Sequence, residues 1–137
     1  MAIEWSEKYE TGVAKIDNQH QELVYRIGSY MKACNEGRSK SEIKDMFDFL
    51  ETYVIQHFND EEEIQLKIRY PKYQEHLDAH KELKQQVKKI KSDIENEHIS
   101  IISIISANKT LVKWIFNHIG RLDQEIAQYI KDNKISV

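Results

Sequence analysis

Histidines recur at helical spacing along this chain, and carboxylates accompany them. His76 and His80 lie four residues apart in the stretch EHLDAHKEL, and His57 lies four residues before Glu61. Residues four apart share one face of an α-helix, so each pair presents its side chains in the same direction. Imidazole nitrogens and carboxylate oxygens bind transition metals, and they also hydrogen-bond to one another. The two pairs therefore indicate either a metal site or a buried hydrogen-bonded cluster.

The same residues fall on the rows of each segment that would face a hydrophobic core. Of the six histidines, only His98 lies off these rows. Glu61 is the sharper anomaly, because an ionised carboxylate in an unpaired apolar position costs several kcal/mol or more. The candidate donors are His20, His57, Glu61, His76, His80, His118 and Asp123.

The type and number of these donors restrict the metal. Seven side chains are too many for one tetrahedral zinc, and calcium or magnesium would not select imidazoles. Cys34 lies too far along its helix from His20 to join the set, which argues against iron–sulfur and copper(I) sites. Imidazole plus carboxylate suits iron, and seven side chains suit two metals that share bridges. If both carboxylates and one solvent-derived group bridge, about eleven of roughly twelve octahedral positions are filled. One position is then open to a small ligand.

Four amphipathic segments must bring these donors together. Capping residues predict where they begin (Asp17 or Asn18, Ser39 or Ser41, and Ser100), while Gly37 and Pro71 end the first two. The predicted helices span approximately residues 18–36, 40–69, 72–95 and 100–132, after an irregular arm of residues 1–17. ISIIS alone could form a strand, but its continuation at a period of 3.6 favours helix. The prediction is an all-α, up-down-up-down four-helix bundle, with residues 1–137 as one domain.

Composition narrows the class of protein. A net charge of -3, with basic and acidic residues interspersed, gives no reason to expect nucleic acid or an anionic membrane as a partner. A single cysteine excludes an internal disulfide. The first ten residues lack the features of a signal peptide, and the most apolar stretch is too short to cross a bilayer. We therefore expect a cytoplasmic protein.

The spacing of the last two donors is irregular. His118 and Asp123 are five residues apart, and on a straight α-helix their side chains would point about 140° apart. Asp123 must either reach inward from the edge of the row or lie on a turn widened as a π-bulge.

The chain resembles the bacterial hemerythrins, of the hemerythrin family, in four stretches: WSEKYETGVAKIDNQH, HFNDEEE, YPKYQEHLDAH and WIFNHIGRLD. The resemblance implies two iron ions with a bridging oxo or hydroxo group, and dioxygen as the ligand. It implies that His76, His80 and His118 bind the coordinatively full iron. His20 and His57 would bind the iron with the open position, and Glu61 and Asp123 would bridge the two.

The resemblance also suggests which residues line the ligand pocket. These are Phe58, Ile64, Gln65 and Trp114, although ordinary core packing explains the three apolar ones equally well. Gln65 stands where the family commonly has methionine, and its amide could admit water or donate a hydrogen bond. Glu62 and Glu63 are expected to be solvated, unless Glu62 bonds to a ligand histidine.

These observations leave three classes of function open. The leading hypothesis is a non-heme di-iron protein, not an enzyme, that reversibly binds oxygen for storage, transport or sensing. The alternative is a di-iron oxidase or peroxide reductase that takes electrons from a donor protein. An iron store or a metal-free bundle is the third. A histidine-rich site without Glu-x-x-His ligands favours binding over oxidative chemistry.

Overall fold

The computed structural model describes residues 4–137 and contains no strand among them. Its elements are α1 (Ala14–Asn35), α2 (Lys40–Lys67), α3 (Tyr73–Glu95), α4 (Ile101–Asn117), a π-helical turn (His118–Leu122) and α5 (Asp123–Asp132). The last three run without a break as the fourth rod of the bundle. Each rod packs on the next, and the fourth packs on α1. The short connections make neighbours antiparallel, so the predicted all-α four-helix bundle is confirmed.

The rows predicted to face inward fill two groups of buried apolar side chains. The larger includes Leu23, Phe47 and Leu83, and the smaller consists of Ile68, Tyr70 and Ile126. Burying each large apolar side chain stabilises the fold by about 1.5–3 kcal/mol. The histidines and carboxylates lie between the two groups, so the core surrounds them. Among residues 4–137, no helix has both the length and the hydropathy needed to cross a bilayer.

The helix ends follow local signals, with one difference from the prediction. Ser39 and Ser100 cap α2 and α4 through side-chain hydrogen bonds, as predicted. Gly37 ends α1 with a φ of 71°. The end of α2 was predicted at residue 69 but lies at Lys67. Arg69 has a φ of 56°, and the amide of Tyr70 bonds back to a helix carbonyl, which makes a Schellman turn without glycine.

The prediction for the start of α1 was wrong by four residues. The helix begins at Ala14 rather than near residue 18, and the preceding arm contains a short 3₁₀ turn, Glu7–Tyr9. Asp17 does not precede the helix but lies in its first turn. Its carboxylate accepts bonds from the Thr11 amide and hydroxyl at 2.8 Å and from the Gly12 amide at 3.1 Å. Asp17 therefore ties the arm to the helix. The first three residues of the predicted arm lie outside the described residues.

Candidate metal centre

The seven donors predicted from the sequence converge at one place in the core. None is more than 4% exposed. They form two groups of four, which share Glu61, and in each group the donor atoms lie within 4.8 Å of one another. The first half of the site consists of His76, His80 and His118 with Glu61, and the second half consists of His20, His57 and Asp123 with Glu61.

Glu61 turns one oxygen toward each half. Its Oε1 lies 2.7 Å from Nε2 of His76 and 3.2 Å from Nε2 of His80. Its Oε2 lies 3.2 Å from Nε2 of His57 and 3.6 Å from Nε2 of His20. A carboxylate placed in this way can bridge two cations.

Asp123 divides its oxygens in the same way. Oδ1 lies 2.9 Å from Nε2 of His76 and 3.2 Å from Nε2 of His118, while Oδ2 lies 3.1 Å from Nε2 of His20. The π-helical turn His118–Leu122 makes this possible, because it places two residues five apart on the same side of the rod. Of the two geometries left open by the sequence, the structure has the π-bulge.

Hydrogen bonds on the outer edges of two rings determine which nitrogen is free. Nδ1 of His57 lies 2.8 Å from Oε1 of Gln19, and Nδ1 of His80 lies 2.7 Å from Oε2 of Glu62. Both oxygens can only accept, so each Nδ1 carries the proton and donates it. The Nε2 lone pairs of both histidines therefore point into the site. Metal-binding histidines are held in this way by their outer nitrogen.

Acceptor atoms face one another at the centre of the site, since the unprotonated Nε2 atoms of His57 and His80 lie 3.2 Å from oxygens of Glu61. Nε2 of His76 lies 2.9 Å from Nε2 of His118, and both nitrogens also approach Asp123. Neither oxygen of Glu61 or of Asp123 accepts a hydrogen bond from the described residues. Buried polar atoms are rarely left without partners, because each costs about 1–3 kcal/mol. One cation within each half would bind these nitrogen and oxygen atoms, so the donor set fits a pair of metal ions.

Without a cation, protons must take its place. Burial by itself would lower the pKa of His20, His76 and His118, but Asp123 and Glu61 raise the pKa of each to about 9. Burial would raise the pKa of both carboxyl groups, yet the surrounding histidines hold both pKa values below their usual range. The site thus requires positive charge.

The residues predicted to line a ligand pocket differ in how closely they approach the site. Phe58 stacks on His80 with ring centroids 3.9 Å apart. Trp114 stacks on His118 at 4.9 Å. Both aromatic rings therefore cover the first half. Their role toward a ligand stays a prediction.

On α2, Gln65 is more deeply buried than its neighbour Ile64, the reverse of the prediction. Ile64 was placed on the inward row but is only half-buried, whereas Gln65 is fully buried. Neither amide atom of Gln65 has a hydrogen-bond partner among the described residues. The buried row of α2 therefore continues from Glu61 to Gln65, at a spacing of four residues, rather than to Ile64, at a spacing of three.

Three further residues contact the site. Glu62, expected to be solvated, bonds to His80, so the second of its two predicted roles is confirmed, while Glu63 is exposed as expected. Gln19 was missed, because it lies off the inward row of α1 and reaches His57 on the neighbouring helix. The ring of Trp5, in the arm, lies 6.3 Å from that of His20.

Comparison with known proteins agrees with this geometry. Residues 11–130 match the family model described as the hemerythrin HHE cation binding domain. The chain belongs to the hemerythrin family. Family members hold a di-iron centre and bind oxygen, so at family level this hemerythrin is a non-heme di-iron oxygen-binding protein whose cofactor is a pair of iron ions.

Similar proteins of known name cover most of the chain. A bacteriohemerythrin of Stenotrophomonas maltophilia is 23% identical over 133 residues, which cover 93% of this chain and 80% of the relative. A bacteriohemerythrin of Pseudomonas aeruginosa is 25% identical, covering 87% and 75%. A myohemerythrin of Theromyzon tessulatum is 27% identical, covering 88% and 87%. The likeness therefore extends over the whole bundle.

Proposed function

We propose that this hemerythrin binds dioxygen reversibly, for storage, transport or sensing, at a di-iron centre held by the seven converging residues. The three histidines of the first half would bind one iron, and the two histidines of the second half would bind the other. Glu61 and Asp123 would bridge the two irons together with an oxo or hydroxo group. The observation that carries the proposal is the division of both carboxylates, with one oxygen facing each half.

The protein would fix and isolate the irons, and the bound iron pair would supply the electrons that dioxygen takes up and returns. Two ferrous ions with two carboxylates and one hydroxide leave a residual charge of about +1, which is far less costly to bury than a bare divalent ion. The rings of Phe58 and Trp114 stack on His80 and His118 and would limit the access of water to the first half. Five neutral imidazoles and a dry core favour binding over oxidative chemistry.

One observation favours the alternative, a di-iron oxidase or peroxide reductase. Gln65 is buried one turn beyond Glu61, and among residues 4–137 neither the donor nor the acceptor of its amide has a hydrogen-bond partner. An ordered water could satisfy it, and water near the site promotes loss of reduced oxygen. This alternative requires an electron-donor protein. That partner stays a prediction, as does the cytoplasmic location.

Oxygen exposure distinguishes the two functions. We expect the reduced, iron-loaded protein to develop a charge-transfer absorption on stopped-flow mixing with oxygen, and we expect that absorption to fade on degassing. The colour should then return over repeated cycles, because a carrier gives back its electrons with its ligand. Rapid consumption of oxygen in the presence of a reductant, with no persistent absorption, would favour the enzyme instead.

Replacing Gln65 with methionine should stabilise both the fold and the oxygenated state. The apolar side chain removes two unpaired buried atoms, so we expect the free energy of unfolding to rise by about 1–3 kcal/mol. The oxygenated protein should also decay several-fold more slowly to the ferric form, as followed by its visible spectrum. Gln85→Met, at an exposed position of α3, is the matched control. Equal decay of Gln65→Met and the parent protein would show that the amide has no part in autoxidation.

A further inference from the structure

One histidine in each half of the site is held from outside by a hydrogen bond from its Nδ1, and the two acceptors differ in charge. In the first half, Nδ1 of His80 donates directly to the carboxylate of Glu62 at 2.7 Å. In the second half, Nδ1 of His57 donates to the neutral amide of Gln19 at 2.8 Å. The two bonds have nearly the same length and the same direction. They therefore differ mainly in the charge of the acceptor.

On the outer side of His57, a carboxylate is reached only one hydrogen bond beyond Gln19. Nε2 of Gln19 donates to Oδ2 of Asp60 at 2.7 Å, which also fixes the orientation of the Gln19 amide, because a carboxylate can only accept. Asp60 also accepts from Gln56 at 3.0 Å and lies 3.8 Å from Nζ of Lys15. Several donors therefore share the negative charge of Asp60, which weakens its electrostatic effect on His57.

The charge of Glu62 is not shared in this way. Among residues 4–137, no lysine or arginine lies within ion-pair distance of Glu62, and its side chain is only 14% exposed. His80 is fully buried. The interaction between the carboxylate and the imidazole is therefore screened little by solvent.

A carboxylate on the outer nitrogen of a histidine makes the inner nitrogen a stronger donor, and a more strongly donating ligand favours the more highly charged metal ion. We propose that Glu62 makes the iron of the first half the more easily oxidised of the two, while Gln19 keeps the iron of the second half, with the open position, in the ferrous form longer. When an added oxidant such as ferricyanide removes one electron from the reduced pair, that electron leaves the first half.

This inference rests on the di-iron site proposed above, and its test separates the two. The parent protein is first loaded and shown to hold both irons, which tests the site alone. Potentiometric titration followed by electron paramagnetic resonance then resolves the two one-electron steps.

The first arm removes the charge at Glu62. Glu62→Gln keeps the shape and an acceptor oxygen, and we expect the first oxidation potential to rise and the affinity of the first half for iron to fall about tenfold or more in chelator competition. Glu63→Gln changes the net charge equally at an exposed neighbouring position and is the matched control. We expect it to leave both potentials unchanged.

The second arm moves a charge toward the second half without altering the total. In Gln19→Glu combined with Asp60→Asn, the carboxylate and the amide exchange places, so His57 donates to a carboxylate that an amide supports. We expect the second oxidation potential to fall and the two steps to approach each other. If Glu62→Gln shifts the first potential no more than Glu63→Gln does, or if the exchange variant leaves the second step in place, the inference is wrong even when both irons are bound.

Discussion

We expect Glu61→Ala protein to fold and to purify without iron. Glu61 is fully buried and supplies an oxygen to each half, so its loss removes a ligand from both ions and leaves their repulsion uncompensated. Loss of a residue that only hydrogen-bonds to a metal ligand already lowers metal affinity by about 10–100-fold. Loss of a ligand shared by both irons should lower it by at least about 100-fold. Iron analysis after gel filtration measures the effect.

Loss of iron should also lower stability. A ligand at 1,000 times its dissociation constant stabilises the folded state by about 4 kcal/mol, so Glu61→Ala should melt at a lower temperature than the loaded parent protein and close to the chelator-treated parent. Glu63→Ala, two residues further along the same helix and exposed, is the control and should keep both irons. His57→Ala should lose iron as well. A Glu61→Ala or His57→Ala protein that retained both irons would overturn the ligand assignment.

The second large effect concerns the length of the π-helical turn. Deleting exposed Arg121 should leave iron binding intact, because His118 and Asp123 would then be four residues apart on an ordinary α-helix and would still share a face. Leu122, also buried, would then lie three residues after His118 and would stay near the same face. The π turn thus accommodates one extra residue, and removing that residue restores regular helix.

A deletion elsewhere in the same rod should have the opposite result. Removing exposed Lys113 from α4 turns every residue before it by about 100° relative to His118. Leu111 and His118, both buried, would then be six residues apart instead of seven, and their side chains would point about 120° apart, so they could not face the core together. We expect this variant to lose its iron and much of its cooperative unfolding, as measured by metal analysis and circular dichroism. If the Arg121 deletion lost iron while the Lys113 deletion kept it, the role assigned to the π turn would be wrong.

Much of the architecture could be predicted because the signals are local. Ser39, Ser100 and Gly37 mark helix ends through contacts with residues at most five positions away. The inward rows follow from a period of 3.6, and spacing alone placed His76 beside His80 and His57 beside Glu61. The helix starting at Ala14 was missed because its N-cap residue, Val13, has no capping side chain, while Asp17, taken as a cap, lies inside the first turn and bonds to the arm.

The tertiary structure decided everything that depends on how the rods are rotated and placed. The sequence allowed two positions for Asp123, and only packing against α1 and α3 selects the π turn that directs it at His20 and His76. Gln65 rather than Ile64 continues the buried row after Glu61, and the sequence could not decide between them because residues three and four apart both share a helix face.

The hydrogen-bond partners of the histidines were harder still to predict. Gln19 and His57 are 38 residues apart, and Glu62 and His80 are 18 apart. Periodicity identifies the face of a helix but carries no information about which atom of a neighbouring helix lies opposite it. The types of donor, and hence the class of metal site, could therefore be predicted from the sequence. The division of charge between the two halves of the site arises only when four rods come together, because contacts between rods depend on their mutual distance and rotation.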